Sequence, residues 1–207
     1  MRAKKSLGLE SKYVFARAKK ALGLENKYVF ARAKKALGQN FLKSEMALRQ
    51  IIEAGDIKKD DIILEIGPGR GALTSKLLEK SKTVVAVEKD YELFEFLKTK
   101  FEKEIKEKKL ILIQDDILEF KITNYEFKKY KIIANIPYNI TGAILKKFLT
   151  EKNQPETMVL MVQHEVAQRI LARDGKESLL SISVKAYGEP KMITKVDKRY
   201  FSPAPKV

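Results

Sequence analysis

The sequence predicts a doubly wound, Rossmann-like α/β fold, and three observations carry that expectation. From Ser44 onward, helix-period and strand-like apolar segments alternate. The strand-like segments are short continuous apolar runs, as expected of strands buried on both faces of a parallel sheet. The chemically distinctive residues stand just after these runs, where a doubly wound sheet gathers its ligand site.

Each element can be justified in turn. Ser44 is placed to cap a helix whose Leu48, Ile51 and Ile52 form an apolar face, ending near Gly55. IILEIG (Ile62 to Gly67) reads as a buried central strand, and Leu73, Leu77 and Leu78 mark the helix after it. TVVAVE (Thr83 to Glu88) is a second strand, and Leu93, Phe94, Leu97, Phe101 and Ile105 line one long third helix. LILI (Leu110 to Ile113), KIIAN (Lys131 to Asn135) and MVLMV (Met158 to Val162) read as the remaining strands. A length of 207 residues suits one well-cored domain with a modest appendage.

The appendage is a repeat. Arg2 to Ala16 reads RAKKSLGLESKYVFA and Arg17 to Ala31 reads RAKKALGLENKYVFA, while a third copy starts at Arg32 as RAKKALG and diverges into QNFL. Such near-identity points to recent duplication. It divides the chain into a repeat segment, 1–31, and a main domain, 32–207. Ser11 and Asn26 are good helix N-caps and Gly23 and Gly38 stand where C-terminal cap glycines belong, so two short basic helices are expected. Tyr13, Phe15, Tyr28 and Phe30 can pack these helices together or stack on nucleic-acid bases.

Composition excludes several chemistries. The absence of cysteine rules out a disulfide framework, a thiolate metal site and a thiol nucleophile, and the single His164 rules out a histidine-rich metal centre. No run of eighteen apolar residues and no signal-peptide pattern occurs, so a cytoplasmic protein that does not enter a membrane is expected; a monomer is expected as well. Forty-two Lys and Arg against 27 Asp and Glu leave a net charge of +15, which suits a polyanionic partner such as RNA, DNA or an anionic membrane.

The motifs narrow that choice. Glu65-Ile-Gly-Pro-Gly-Arg-Gly71 follows the first strand, and its glycines let backbone approach a ligand closely. Gly67, Gly69 and Ala72 also fit the dinucleotide pattern, but Pro68 removes one N–H from a loop that would need donors for a pyrophosphate. S-adenosylmethionine has no phosphate and does not need them. Glu88, roughly 20 residues beyond Gly67, is placed to accept both hydroxyls of an adenosine ribose. Asp115 and Asp116, after the third strand, can accept a hydrogen bond from the adenine amino group. Asn135-Ile-Pro-Tyr138 ends the fourth strand and carries the most specific chemistry. An exocyclic adenine amine is a poor nucleophile because its lone pair is delocalised into the ring. Acceptors on its hydrogens, here the Asn135 side-chain oxygen and the Ile136 carbonyl, favour a more pyramidal nitrogen. Pro137 stiffens the loop and Tyr138 offers a ring for stacking.

Taken together, GQNFL (38–42), EIGPGRGALT (65–74), VEKD (87–90), DDIL (115–118), NIPYNI (135–140), MVQHEVAQRI (161–170) and FSPAPKV (201–207) resemble the ribosomal RNA adenine dimethyltransferases, nearest the small-subunit (16S) type. The resemblance covers the chain from Arg32 to Val207. It implies an S-adenosylmethionine-dependent methyltransferase acting on ribosomal RNA or a small-subunit precursor. It further implies that Asn40, Leu42, Gly67, Gly69, Glu88, Asp116 and Asn135 contact the cofactor. Asn135 would also hold the target amine, Tyr138 would stack on the flipped adenine, and Phe201 would support it from the opposite side. His164 is read as structural. Two departures stand out: the residues before Arg32 are extra, and the helical domain that follows PKV in the family is not in the sequence. Three rival readings remain at this point: the large-subunit (23S) dimethyltransferase of the macrolide-resistance type, a non-catalytic ribosome-assembly or RNA-binding factor, and a nicotinamide dehydrogenase.

Overall fold

The computed structural model describes residues 33–34, 37–125, 127 and 129–205. The repeat helices expected within 2–31 lie outside the described residues. The chain enters through a two-residue strand β1 (Phe41–Leu42), and the Ser44 hydroxyl then caps α1 (Glu45–Ala54), accepting the Ala47 N–H at 3.2 Å. Leu48 and Ile51 bury the inner face of α1, which ends at Gly55. There follow β2 (Ile62–Ile66), α2 (Ala72–Lys80), β3 (Thr83–Glu88), α3 (Tyr91–Lys100), α4 (Glu102–Lys106) and β4 (Leu110–Gln114). The second half holds β5 (Lys131–Asn135), α5 (Thr141–Thr150), β6 (Thr157–Met161), α6 (His164–Leu171), α7 (Leu179–Lys185) and β7 (Phe201–Ser202).

Five of these strands form one parallel sheet in the order β4-β3-β2-β5-β6. The chain therefore winds outward from β2 to β4 and restarts on the other side at β5, so the topological switch point lies between β2 and β5. Alternate residues feed two cores. Ile63, Val84, Ala86 and Ile133 join Leu48, Leu77 and Leu97 on one face; Leu64, Val85, Val87 and Ile132 join Ile144 and Phe148 on the other. Residues buried on both faces explain the continuous apolar runs. Among the described residues no helix is long and apolar enough to cross a membrane.

One sequence expectation is corrected. The single helix expected from Leu93 to Ile105 is two, α3 and α4, broken at Phe101 (φ −112°, ψ 30°). The reason is tertiary: the Phe101 ring is buried so close to Gly71 that a Cβ there would lie 2.5 Å from it.

A charge is also buried in the sheet. Lys131 starts β5 opposite Ile63, and its ammonium donates to the carbonyls of Gly55 (3.3 Å) and Asp56 (2.8 Å) and pairs with Asp61 at 2.7 Å. These carbonyls close the C-terminal end of α1, where a cation is favoured. Lys131→Met should therefore cost about 1–3 kcal/mol, since it leaves two carbonyls unpaired and Asp61 with only the Lys58 N–H. Urea unfolding checks this, and an unchanged midpoint would remove the lysine from the stability of the sheet.

Candidate active site

A cleft of about 350 Å³ opens at the carboxyl ends of β2, β3 and β5, walled by the glycine loop, the loop after β5 and residues 37–43. The glycine loop turns through three left-handed residues, Gly67 (φ 64°), Gly69 (φ 60°) and Gly71 (φ 74°), a path closed to most side chains. The Gly67 N–H donates to the Val87 carbonyl at 3.0 Å, which anchors the loop to β3. Phe41 packs beside the loop, with the Arg70 guanidinium 4.5 Å from its ring centroid.

Glu88 ends β3 and is buried. Its Oε2 accepts the Gly69 N–H at 3.0 Å and its Oε1 accepts the Asp90 N–H at 2.9 Å. Burial pushes its carboxyl above the usual range, and the two N–H groups offset only part of that rise. Each oxygen keeps acceptor capacity for a hydroxyl in the cleft. Asp115 and Asp116 line the same wall beyond β4. Asp116 accepts the Lys89 ammonium at 2.6 Å and the Leu118 N–H at 3.0 Å, and the lysine holds its carboxyl below the usual range.

Asn135 ends β5, and its Nδ2 donates to the Asn40 carbonyl at 3.1 Å. That bond turns Oδ1 inward, where it is buried without a partner among the described residues. An unsatisfied buried acceptor costs about 1–3 kcal/mol, so the position favours a ligand that brings a donor. The Ile136 side chain is buried beside it, and Tyr138 opens a 3-10 turn, Tyr138–Ile140. Burial pushes the half-buried Tyr138 hydroxyl up to about 12.

Asn40, Leu42, Gly67, Gly69, Glu88, Asp116 and Asn135 all line this one cleft. Tyr138 and Phe201 stand outside its lining. Phe201 pairs with Leu42 across the antiparallel β1–β7 ladder and is only 6% exposed, packed into the core with Leu42 and Leu48. His164 is half-buried as the first residue of α6, also away from the cleft.

Two carboxylates, Glu65 lining the cleft and Asp90 beside it, stand inside the quoted motif words but were not singled out among the expected site residues. Glu65, near the end of β2, is 1% exposed, and burial pushes its carboxyl up to about 8; nearby Glu88 adds to the rise. An acid inside an otherwise apolar strand was its available signal. Asp90 caps α3, accepting the Glu92 N–H at 3.0 Å, and its position directly before an apolar helical run was the corresponding signal.

The donor set also bears on the ligand. Pro68 has no N–H and the Gly69 N–H is taken by Glu88, so the glycine loop offers little to a pyrophosphate. The carboxylates of Glu88 and Asp116 could instead accept the hydroxyls and the amine of an adenosyl ligand without phosphates.

Similarity to known proteins identifies the family and the fold. The family model described as ribosomal RNA adenine dimethylase matches residues 30–207. "Ribosomal RNA small subunit methyltransferase A" of Dehalococcoides mccartyi strain CBDB1 is 43% identical over 82% of this chain and 58% of its own length. The protein of the same name from Mycoplasmopsis synoviae is 44% identical over 82% of this chain and 64% of its own length. The chain thus spans about three fifths of the length of these curated relatives. Among solved structures, a dimethyladenosine transferase from Plasmodium falciparum is 33% identical with a TM-score of 0.70, covering 80% of this chain and 59% of that one. The 23S rRNA methyltransferase ErmE is 29% identical with a TM-score of 0.72, covering 81% of this chain and 66% of that one. A family model spanning all of residues 32–207, over a sheet of this topology, establishes that the chain belongs to the ribosomal RNA adenine dimethylase family.

Proposed function

We propose that the chain binds S-adenosylmethionine in this cleft and transfers its methyl group, twice in succession, to N6 of adenine in small-subunit ribosomal RNA. The observation that carries the reading is the buried, unpartnered Asn135 Oδ1 at the end of β5, in the same cleft as Glu88 and Asp116. When bound, the cofactor supplies an activated methyl group on a sulfonium. Glu88 accepts the ribose hydroxyls, Asp116 accepts the adenine amino group, and Gly67, Gly69, Asn40 and Leu42 shape the walls.

Asn135 Oδ1 and the Ile136 carbonyl accept the hydrogens of the target amine and hold its lone pair in line with the methyl group. The donor is already activated, so no strong general base is required. A target base must leave its stack to reach the cleft. Tyr138 stacks on it, while Phe201, buried against Leu42, supports the site by packing rather than by contact with the base. The net charge of +15 favours an RNA partner.

The test is to incubate the protein and labelled cofactor with small subunits lacking the modification and to map the labelled base. Label on a large-subunit adenine instead would move the assignment to the other branch, which the likeness to ErmE keeps in view. No label on either, with cofactor binding intact, would leave an RNA-binding factor. Within the site, Glu88→Gln should weaken cofactor binding by about 1–2 kcal/mol, the difference between charged and neutral hydrogen bonds. Calorimetry showing unchanged affinity would remove Glu88 from ribose recognition.

A further inference from the structure

Asp90 does not line the cleft, yet its carboxylate accepts three hydrogen bonds from described residues. Its side chain is fully buried. Oδ1 accepts the Lys34 ammonium at 2.9 Å and the Glu92 N–H at 3.0 Å, and Oδ2 accepts the Gln39 Nε2 at 2.9 Å. Gln39 is oriented in turn by its Oε1, which accepts the Lys34 N–H at 2.8 Å. On its other side, the Asp90 N–H donates to Glu88, whose second oxygen takes the Gly69 N–H. One hydrogen-bonded chain therefore runs from Lys34 and Gln39 through Asp90 and Glu88 to the glycine loop.

The residues tied down by that chain are the strap 37–43, the third wall of the cleft. Its far side is moored to the loop after β5. Gly38, at φ 63°, sits so tightly that a Cβ would lie 2.8 Å from Asn139 Oδ1, and the Asn40 carbonyl accepts from Asn135. We infer that Asp90 is a positioning residue for this site: through Gln39 and Lys34 it clamps the strap, and so sets the cofactor wall and the orientation of Asn135. The inference rests on the reading of the cleft as an S-adenosylmethionine site.

The clamp also reads the tandem repeat. Lys34 and Gly38 have counterparts in Lys4 and Gly8 and in Lys19 and Gly23, but Gln39 and Asn40 are replaced there by Leu9 and Glu10 and by Leu24 and Glu25. Leucine has no donor for Asp90, and glutamate has no donor for the Gly38 carbonyl that Asn40 Nδ2 meets at 3.0 Å. Only the third copy satisfies the clamp.

The full chain tests this through two readouts, S-adenosylhomocysteine affinity by calorimetry and the rate of tryptic cleavage after Lys43. Asp90→Asn keeps an oxygen for the Glu92 N–H but meets Gln39 donor to donor; Gln39→Glu meets Asp90 acceptor to acceptor. Each single variant should lose about tenfold in affinity and be cleaved faster, whereas the double variant restores a donor–acceptor pair with its direction reversed. The double variant should return to within about threefold of the wild-type affinity and recover its slow cleavage. A merely local loss of stability would not be rescued in this way. Affinity and cleavage unchanged in Asp90→Asn, or a double variant no better than the worse single one, would overturn the clamp. Failure of the wild type to bind S-adenosylhomocysteine would sink the cofactor reading instead. The cleavage rates would then decide the clamp alone, unchanged rates in Asp90→Asn overturning it.

Discussion

Asn135→Ala is expected to lower the rate of adenine methylation by at least about a hundredfold, comparable with the loss of one preorganised polar group in other active sites. The size of the effect follows from where the oxygen sits. Oδ1 is held in a buried position without a partner by the bond from Nδ2 to Asn40, so its reorganisation cost is met on folding rather than during reaction. Folding stability should change little, because the variant loses one hydrogen bond and removes one unsatisfied acceptor. Single-turnover methylation at saturating cofactor, with thermal unfolding as the control, separates these effects. A rate within a few-fold of wild type would end the assignment of Asn135 as amine acceptor. A large drop in melting temperature would instead make it a structural link between β5 and the strap.

Glu65 should produce the largest pH effect on stability. Burial raises its carboxyl from 4.5 to about 8 in the folded protein, so the folded state holds a proton that the unfolded chain gives up earlier. The stability associated with the protonated group is fully present below the unfolded value. It is lost as pH rises between the two values, with a slope of up to about 1.4 kcal/mol per pH unit. Across that window the loss is on the order of 3–5 kcal/mol. Glu65→Gln cannot ionise, so the stability difference between wild type and variant should shift in favour of the variant as pH rises from about 5 to 8. Urea titrations at several pH values measure that difference directly. Parallel curves for the two proteins would mean that Glu65 is already ionised in the folded state, with Thr74 or solvent satisfying it.

Much of the site was legible because its chemistry follows the ends of strands. Asn40, Leu42, Gly67, Gly69, Glu88, Asp116 and Asn135, singled out from motif words scattered across the chain, converge on one cleft. For Gly67, Gly69, Glu88, Asp116 and Asn135 that convergence is a property of doubly wound sheets, whose carboxyl ends all face one side, whereas Asn40 and Leu42 are brought there by the strap before the sheet. Glu65 and Asp90 were harder to see, since a carboxylate's importance here depends on burial and on partners far away in sequence. Gln39 and Lys34 are separated from Asp90 by more than 50 residues, and no local periodicity records such a contact.

By itself the sequence determined the order and type of the five parallel strands, the family, and which loop carries which motif. All of these depend on local apolar periodicity and on short words of fixed chemistry. Tertiary structure alone decided the strand order around β2 and β5, the pairing of Leu42 with Phe201, the break at Phe101 and the burial of Glu65. It also decided that Asn135 gives its amide to Asn40 and leaves its oxygen buried without a partner among the described residues. The physical reason is common to all of these. Each is the outcome of packing or hydrogen bonding between groups distant in the chain, and their energies exist only once the sheet has brought them together.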